Sequence, residues 1–265
     1  MPSDCARFGT KPPANPSIVW KRPGHIADDR CMVLLMSIIL LAGGLTAAWF
    51  LAGILARSWC DRRLRTSTAD HGILALTYDD GPGSRATPEL LDLLDEHGTK
   101  ATFFLIGGSA ERHPEIVSRL IDDGHTIGWH TQTHRNQWLT DPFRGIRDLR
   151  ISATLDRVTR GSMKVFRPPF GKLTAGTVAT CWSKGWKIIS WTHPSGDTYK
   201  DLPDIDAFVE RIDRAGGGVV LMHDMDREDS DRSRFVLGVT RALIDLARRR
   251  NWRIIHSVED WNHIA

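Results

Sequence analysis

Along residues 71–265 the chain alternates short apolar runs with longer stretches of mixed, helix-patterned character. The apolar runs near 73–78, 101–106, 125–129, 164–167, 187–191, 218–222 and 253–257 read as buried strands. Helices are expected between them. Thr87-Pro88 offers a cap residue and a first-turn proline, and Gly98 closes that helix. The spans 109–123, 142–159, 174–184, 205–215 and 233–250 supply the others. Such alternation predicts an α/β fold with a parallel sheet.

A different pattern occupies the N-terminal part. No residue from Met32 to Ala56 is charged, and Arg30 and Arg57 bracket the run. About 20 apolar residues suffice to cross a bilayer, so 32–56 is long enough to span one. The competing reading is the apolar stretch of a signal peptide, but no clean Ala-x-Ala lies at its end. We therefore expect a retained single-pass membrane anchor over 32–56, an unstructured basic segment over 1–31, a linker over 57–70 and one folded domain over 71–265. Lys21, Arg22 and Arg30 on one flank nearly balance Arg57, Arg62, Arg63 and Arg65 on the other. The positive-inside rule then leans only slightly, toward a cytoplasmic domain.

Composition changes this picture little. Apolar content of 41% suits a chain with a real core. The net charge of +3 is uneven: residues 1–70 hold nine basic and five acidic residues, leaving 26 and 27 for the remainder. The basic excess belongs to the N-terminal extension, so no nucleic-acid partner is expected. Of the cysteines, only Cys181 lies within 71–265, so no disulfide staples that domain. Arg248-Arg249-Arg250 ends a predicted helix, where cations suit the dipole.

Candidate chemistry gathers where apolar runs end. Thr77-Tyr78-Asp79-Asp80-Gly81-Pro82 puts two adjacent carboxylates at the end of a predicted strand, just before a turn. Carboxylates this close repel, so keeping both ionised needs a nearby cation. His130 and His134 stand at i and i+4, a spacing that lets two imidazoles meet one metal ion from a single helical turn. Taken alone, the pair is a weak signal and reads more readily as two partly exposed imidazoles in a loop. Arg167-Pro168-Pro169-Phe170-Gly171, Trp191 to Asp197, and Leu221-Met222-His223 also follow apolar runs. In a barrel of strands and helices, that rim is where chemistry is built.

Together these segments resemble the polysaccharide deacetylases, the NodB-homology or carbohydrate esterase family 4 enzymes. The likeness extends over roughly residues 71–262 and includes Ala101 to Gly107 and Gly124 to Gly128. It implies a distorted (β/α)7 barrel preceded by the N-terminal transmembrane helix. It also implies a divalent metal, zinc first, with cobalt, manganese or nickel as alternatives, held by Asp80, His130 and His134. Asp79 matches the general base that deprotonates the attacking water, and Arg167 matches the residue that pairs with it. His223 matches the general acid and Asp197 its partner. Trp191 and Leu221 match the apolar walls around the acetyl methyl, and the Phe170 backbone amide an oxyanion donor.

One motif departs from the family pattern. Pro194 stands where relatives carry a first acid and Thr198 where they carry tryptophan, which puts the accepted sugar in doubt. His193 is either a substrate contact or a filler.

The function implied is removal of N-acetyl groups from the amino sugars of a glycan, outside the cytoplasm, on a membrane-anchored enzyme. Two rivals are a deacetylase or deformylase of a lipid-linked amino sugar, and a glycan-binding module with a vestigial site.

Overall fold

The computed structural model describes residues 29–69 and 71–265. In chain order the elements are α1 (Asp29–Thr68), β1 (Ile73–Asp79), α2 (Ala86–Glu96), β2 (Thr102–Leu105), α3 (Gly107–Arg112), α4 (Pro114–Asp122) and β3 (Thr126–Trp129). There follow α5 (Pro142–Asp148), α6 (Ala153–Val158), β4 (Val165–Phe166), α7 (Ala175–Ser183), β5 (Lys187–Ile188) and β6 (His193–Pro194). The chain ends with α8 (Ile205–Arg214), β7 (Gly217–His223), α9 (Ser230–Arg250), β8 (Arg253–Ile254) and α10 (Val258–Ile264).

All strand pairs are parallel, in the order β5-β4-β3-β2-β1-β7-β6, with β8 beside the start of β1. Strands β5 and β6 lie at opposite edges of this order yet are joined by four residues, Ile189 to Thr192. The sheet therefore curls into a half-barrel whose edges the chain itself bridges. The seven predicted runs are all strands, and β6 is the addition. Strand β6 lies just beyond the predicted run 187–191, of which only Lys187–Ile188 pairs as β5.

Two apolar clusters sandwich the sheet. The larger, with Leu76, Tyr78, Phe103, Trp129 and Met222, packs strands against helices. The smaller fills the barrel interior with Ala75, Phe104, Val165, Ile189, Val219 and Trp261, and Leu64 of α1 joins it. Alternation along β1 explains the division: Ala75, Thr77 and Asp79 face one side, Leu74, Leu76 and Tyr78 the other.

Helix α1 is long and apolar enough to cross a membrane, by length and composition. Among the described residues, those up to Gly44 form one unit and those from Leu45 to Ala265 another. Two boundaries differ from expectation. Residues 57–68 are helical and packed on the domain, so they do not form a free linker. Phe50, inside the predicted span, sets its ring edge-on to Trp138 at 5.9 Å. The Gly53 backbone presses so closely on the Leu173 carbonyl that a Cβ there would overlap it. The predicted basic segment falls, up to residue 28, outside the described residues, and 29–31 begin α1.

Other helices shift in detail. The stretch 109–123 breaks at His113-Pro114, because proline cannot donate to the preceding turn. The stretch 142–159 is two helices, and α10 is additional. Thr87 is not a cap. Helix α2 starts at Ala86, two residues before Pro88, and the Asp226 carboxylate accepts from the Ser84, Arg85 and Ala86 amides at 2.6, 2.9 and 3.0 Å.

Candidate active site

The C-terminal ends of β1, β3, β4 and β7 meet at one mouth of the half-barrel. Strand β1 delivers Asp79 in register with His223 of β7, so both side chains face the interior. Asp80, one residue on, would point away if the strand continued. It does not: Asp80 has φ 70°, which turns its carboxylate back toward the same space.

His130 and His134 do converge, but not from a helix. They lie in the loop after β3, where Thr131 (φ 69°) and His134 (φ 56°) are also left-handed. The Thr131 hydroxyl accepts from the His134 amide at 3.0 Å and holds that bend. Phe170, after β4, has φ 56° as well. Four non-glycine residues in this uncommon conformation border one site, strain that persists only where the surroundings over-determine it.

Ligand atoms of Asp80, His130 and His134 all lie within 4.8 Å of one another. The His134 and His130 Nε2 atoms stand 3.0 and 3.4 Å from Asp80 Oδ1. That oxygen is buried and accepts no hydrogen bond among the described residues. His130 Nδ1 lies 2.7 Å from the Arg167 carbonyl, so it is the donor and leaves the Nε2 lone pair for the site. A buried acceptor without a donor, facing two imidazole nitrogens, fits a divalent cation with positions left open. Burial alone would raise Asp80, but the close approach and charge of His130, with the charges of His134 and His223, lower it to about 2. Burial pulls His134 down.

Two ion pairs flank this trio. Arg167 is fully buried beneath the mouth. Its Nη1 donates to Asp79 Oδ1 at 2.8 Å and to the Thr77 hydroxyl at 2.7 Å, and Nη2 donates to the Ser190 carbonyl at 2.9 Å. The Phe104 ring lies under the guanidinium at 4.1 Å. On the other side, His223 Nδ1 lies 3.0 Å from Asp197 Oδ1, and His223 Nε2 lies 4.0 Å from Asp80 Oδ2. Burial lowers His223, but the Asp197 hydrogen bond and charge, with Asp79 and Asp80, outweigh it and leave the imidazole raised.

Of the remaining expected residues, Phe170 lies against the trio. The Phe170 ring is exposed and packs on His134 at 4.6 Å between centroids. Leu221 pairs with Thr77 across β7 and β1. Trp191 lies between the guanidinium groups of Arg57 at 4.1 Å and Arg167 at 5.7 Å. His193 is not brought to the mouth: it pairs with Val220 in β6, its ring against Gly218 and its Nδ1 2.7 Å from the Thr192 hydroxyl. The basic run at the end of α9 is also elsewhere, with Arg250 paired to Asp213 and Arg248 donating to the His97 carbonyl.

Several contributors were not anticipated. Arg227 donates to the Asp197 carbonyl at 2.6 Å and lies 3.4 Å from its carboxylate. Asp224 is fully buried behind Gly81, held by the Thr87 hydroxyl at 2.6 Å. Arg57 of α1 pairs with Asp61 at 2.7 Å, and Asp61 accepts from the Ser190 hydroxyl. Only the four-residue spacing of Arg57 and Asp61 leaves a mark in the sequence. Their partners are more than a hundred residues away.

A family model described as polysaccharide deacetylase matches residues 66–189. A peptidoglycan-N-acetylglucosamine deacetylase of Bacillus cereus is 37% identical over 121 residues, covering 45% of this chain and 44% of its own length. A chitooligosaccharide deacetylase of Bradyrhizobium sp. (strain ANU 289) is 32% identical over 165 residues, covering 60% of this chain and 73% of its own. Among solved structures, a peptidoglycan N-acetylglucosamine deacetylase in complex with 4-naphthalen-1-yl-N-oxidanyl-benzamide superposes with a TM-score of 0.64. It is 25% identical, and the match covers 74% of this chain and 91% of that one.

Proposed function

Because this chain belongs to the polysaccharide deacetylase family of hydrolases, we propose that it removes N-acetyl groups from the amino sugars of a glycan, releasing acetate. The observation that carries the reading is the convergence of Asp80, His130 and His134 between the Asp79–Arg167 and His223–Asp197 pairs. Asp80, His130 and His134 hold a divalent metal, zinc first. The chemistry such an ion supplies when bound is Lewis acidity, toward the amide carbonyl and toward water.

The protein's own groups do the rest. Asp79 takes a proton from the attacking water, while Arg167 fixes its Oδ1. The water oxygen bonds to the carbonyl carbon. His223 Nε2 gives a proton to the amide nitrogen as the carbon–nitrogen bond breaks, because an amine leaves poorly unless protonated. Asp197 holds Nδ1 and so selects the tautomer. The Phe170 amide faces the developing oxyanion, and Trp191 and Leu221 enclose the methyl group.

We read residues 32–48 as the membrane anchor, residues 49–68 as the part of α1 built into the domain, and the catalytic domain as lying outside the cytoplasm. The test of the activity is acetate release from N-acetylglucosamine oligomers by the purified protein, abolished by a chelator and restored by zinc or cobalt. Binding of the oligomers without acetate release in any metal identifies a glycan-binding module instead.

A further inference from the structure

The loop that carries His130 and His134 continues into an apolar surface that nothing in the domain covers. Leu139 is 86% exposed and Phe143, at the start of α5, is 85% exposed. They flank the point where α1 reaches the rim. Trp138 meets Phe50 and donates to the Leu173 carbonyl at 2.7 Å, while Trp49 and Ile146 crowd the same side of Gly176. The outer face of α1 here is also apolar and exposed, at Leu51, Ile54 and Leu55. Arg144, next to Phe143 in the chain, lines a groove of about 300 Å³ together with Gln132, Thr133, Arg135, Arg147 and the buried Asp148, and Arg144 also lies 3.3 Å from Asp141. All three arginines are exposed.

We propose that this rim, Leu139 and Phe143 with the arginine groove beside them, is a docking surface for the head-group region of an anionic lipid bilayer. Two exposed bulky apolar side chains next to a row of guanidinium groups match the layering of a bilayer surface, acyl chains beneath phosphates. Continuity of the chain selects the bilayer over a protein partner. Trp49 lies four residues, about 6 Å of helix, from Leu45, and the residues before it back to Met32 are uncharged. The chain is thus uncharged from within a turn or so of the patch back to Met32, a stretch suited to apolar surroundings.

The consequence for substrate rests on the deacetylase reading. His134 and Leu139 share one loop, so docking through Leu139 and Phe143 brings the catalytic mouth to the lipid surface. The amino sugar it serves is one held there on a membrane lipid, rather than a distant polymer.

The test uses the full chain with Cys5 and Cys31 changed to serine, which leaves only the buried Cys60 and Cys181. Single cysteines in place of Leu139, Phe143 or, as a control at the opposite end of the barrel, Arg249 carry an environment-sensitive fluorophore. In vesicles of phosphatidylglycerol with brominated acyl chains, labels at 139 and 143 lose most of their emission and the label at 249 keeps it. Arg144→Glu with Arg147→Glu reduces that loss. Equal emission at 139 and 249 overturns the proposal, as does cross-linking of two chains through position 139 without lipid quenching.

In turnover assays, Leu139→Ser with Phe143→Ser leaves soluble N-acetylglucosamine oligomers unaffected. The same pair lowers turnover of a polyprenyl-linked N-acetylamino sugar in vesicles by about tenfold or more, since several buried methylenes are lost. Equal loss on both substrates overturns the substrate inference. If the parent acts on neither, the deacetylase reading fails while the quenching still decides the docking.

Discussion

Arg167 Nη1 lies 2.8 Å from Asp79 Oδ1, in a pair that is closed to solvent on both sides. Burial lowers the arginine, and the charge and hydrogen bond of Asp79 oppose that. A buried pair of this kind adds little net stability when intact, but breaking it costs about 3–5 kcal/mol because one charge is left uncompensated. Arg167→Ala should therefore lower the unfolding free energy on that scale as well as activity. Asp79→Asn leaves the Arg167 charge uncompensated and should be destabilised on the same scale, while the folded variant keeps metal and loses about 10²–10⁴-fold in kcat, the usual worth of a general base. Metal analysis and denaturant unfolding of both variants check this; near-parental turnover in Asp79→Asn removes the base assignment.

The second pair gives a pH prediction. His223 is raised above its ordinary value, burial acting against and Asp197 acting for its charge. A general acid must be protonated to act, so a raised value extends activity toward alkaline pH. Asp197→Asn removes the supporting charge in the same metal state. Its alkaline limb of kcat against pH should move to lower pH, while the acid limb stays. A limb that does not move between parent and variant means that another group donates the proton.

The sequence carries the site's composition better than its geometry. Asp79 and His223 are legible because each ends an apolar run, and alternation along β1 and β7 then fixes their facing. His130 and His134 do come together, but not by the helical turn that their spacing suggests. The helical spacing is coincidental, and the left-handed Thr131 and His134 make the approach. Thr87 looks like a cap from its neighbours, but the cap comes from Asp226, 140 residues away from Ala86. Likewise, an uncharged run read as a span ends against the domain at Trp49 and Phe50, because only folding reveals that Trp138 and Gly176 wait there. Local periodicity reports buried faces and says nothing of their partners.

Metal should bind the folded state alone, since Asp80 and the two histidines are about fifty residues apart in sequence and meet only on folding. A ligand present at 100 times its dissociation constant then adds about 2.7 kcal/mol to stability. Zinc should raise the melting temperature of the parent and leave that of His130→Ala or Asp80→Asn unchanged. A parent transition indifferent to zinc and to chelator removes the metal site.

His125 supplies an acid-stability prediction away from the site. Its Nδ1 accepts from the Ala101 amide at 3.1 Å, and its ring stands edge-on to Phe103. Burial first, then the charges of Lys100 and His256, lower it to about 3. Between its unfolded value of about 6.5 and about 3, the unfolded state binds the extra proton, so stability falls as pH falls through that window. The slope approaches about 1.4 kcal/mol per pH unit. His125→Asn keeps an acceptor but no titration, and its unfolding free energy should depend less on pH between 6 and 4. Parallel pH profiles for parent and variant would place the acid sensitivity elsewhere.

The last prediction concerns α1. Leu64 is fully buried among Ala75, Phe104 and Trp261, and Asp61 holds the Ser190 hydroxyl beside the backbone that anchors Arg167. The helix therefore completes the interior that the half-barrel leaves open, and its loss should reach the catalytic arginine. Leu64→Ala should cost about 2–5 kcal/mol, the range for a buried leucine whose cavity does not collapse. Gly53→Leu places a side chain against the Leu173 carbonyl and should lift this part of α1 from the rim. Its melting temperature should fall less than that of Leu64→Ala, because the packing it disturbs lies at the rim rather than in the barrel core. Comparison of the two by thermal unfolding, with acetate release measured alongside, separates a structural brace from a dispensable tether. If both variants melt and turn over as the parent does, α1 contributes nothing beyond attachment.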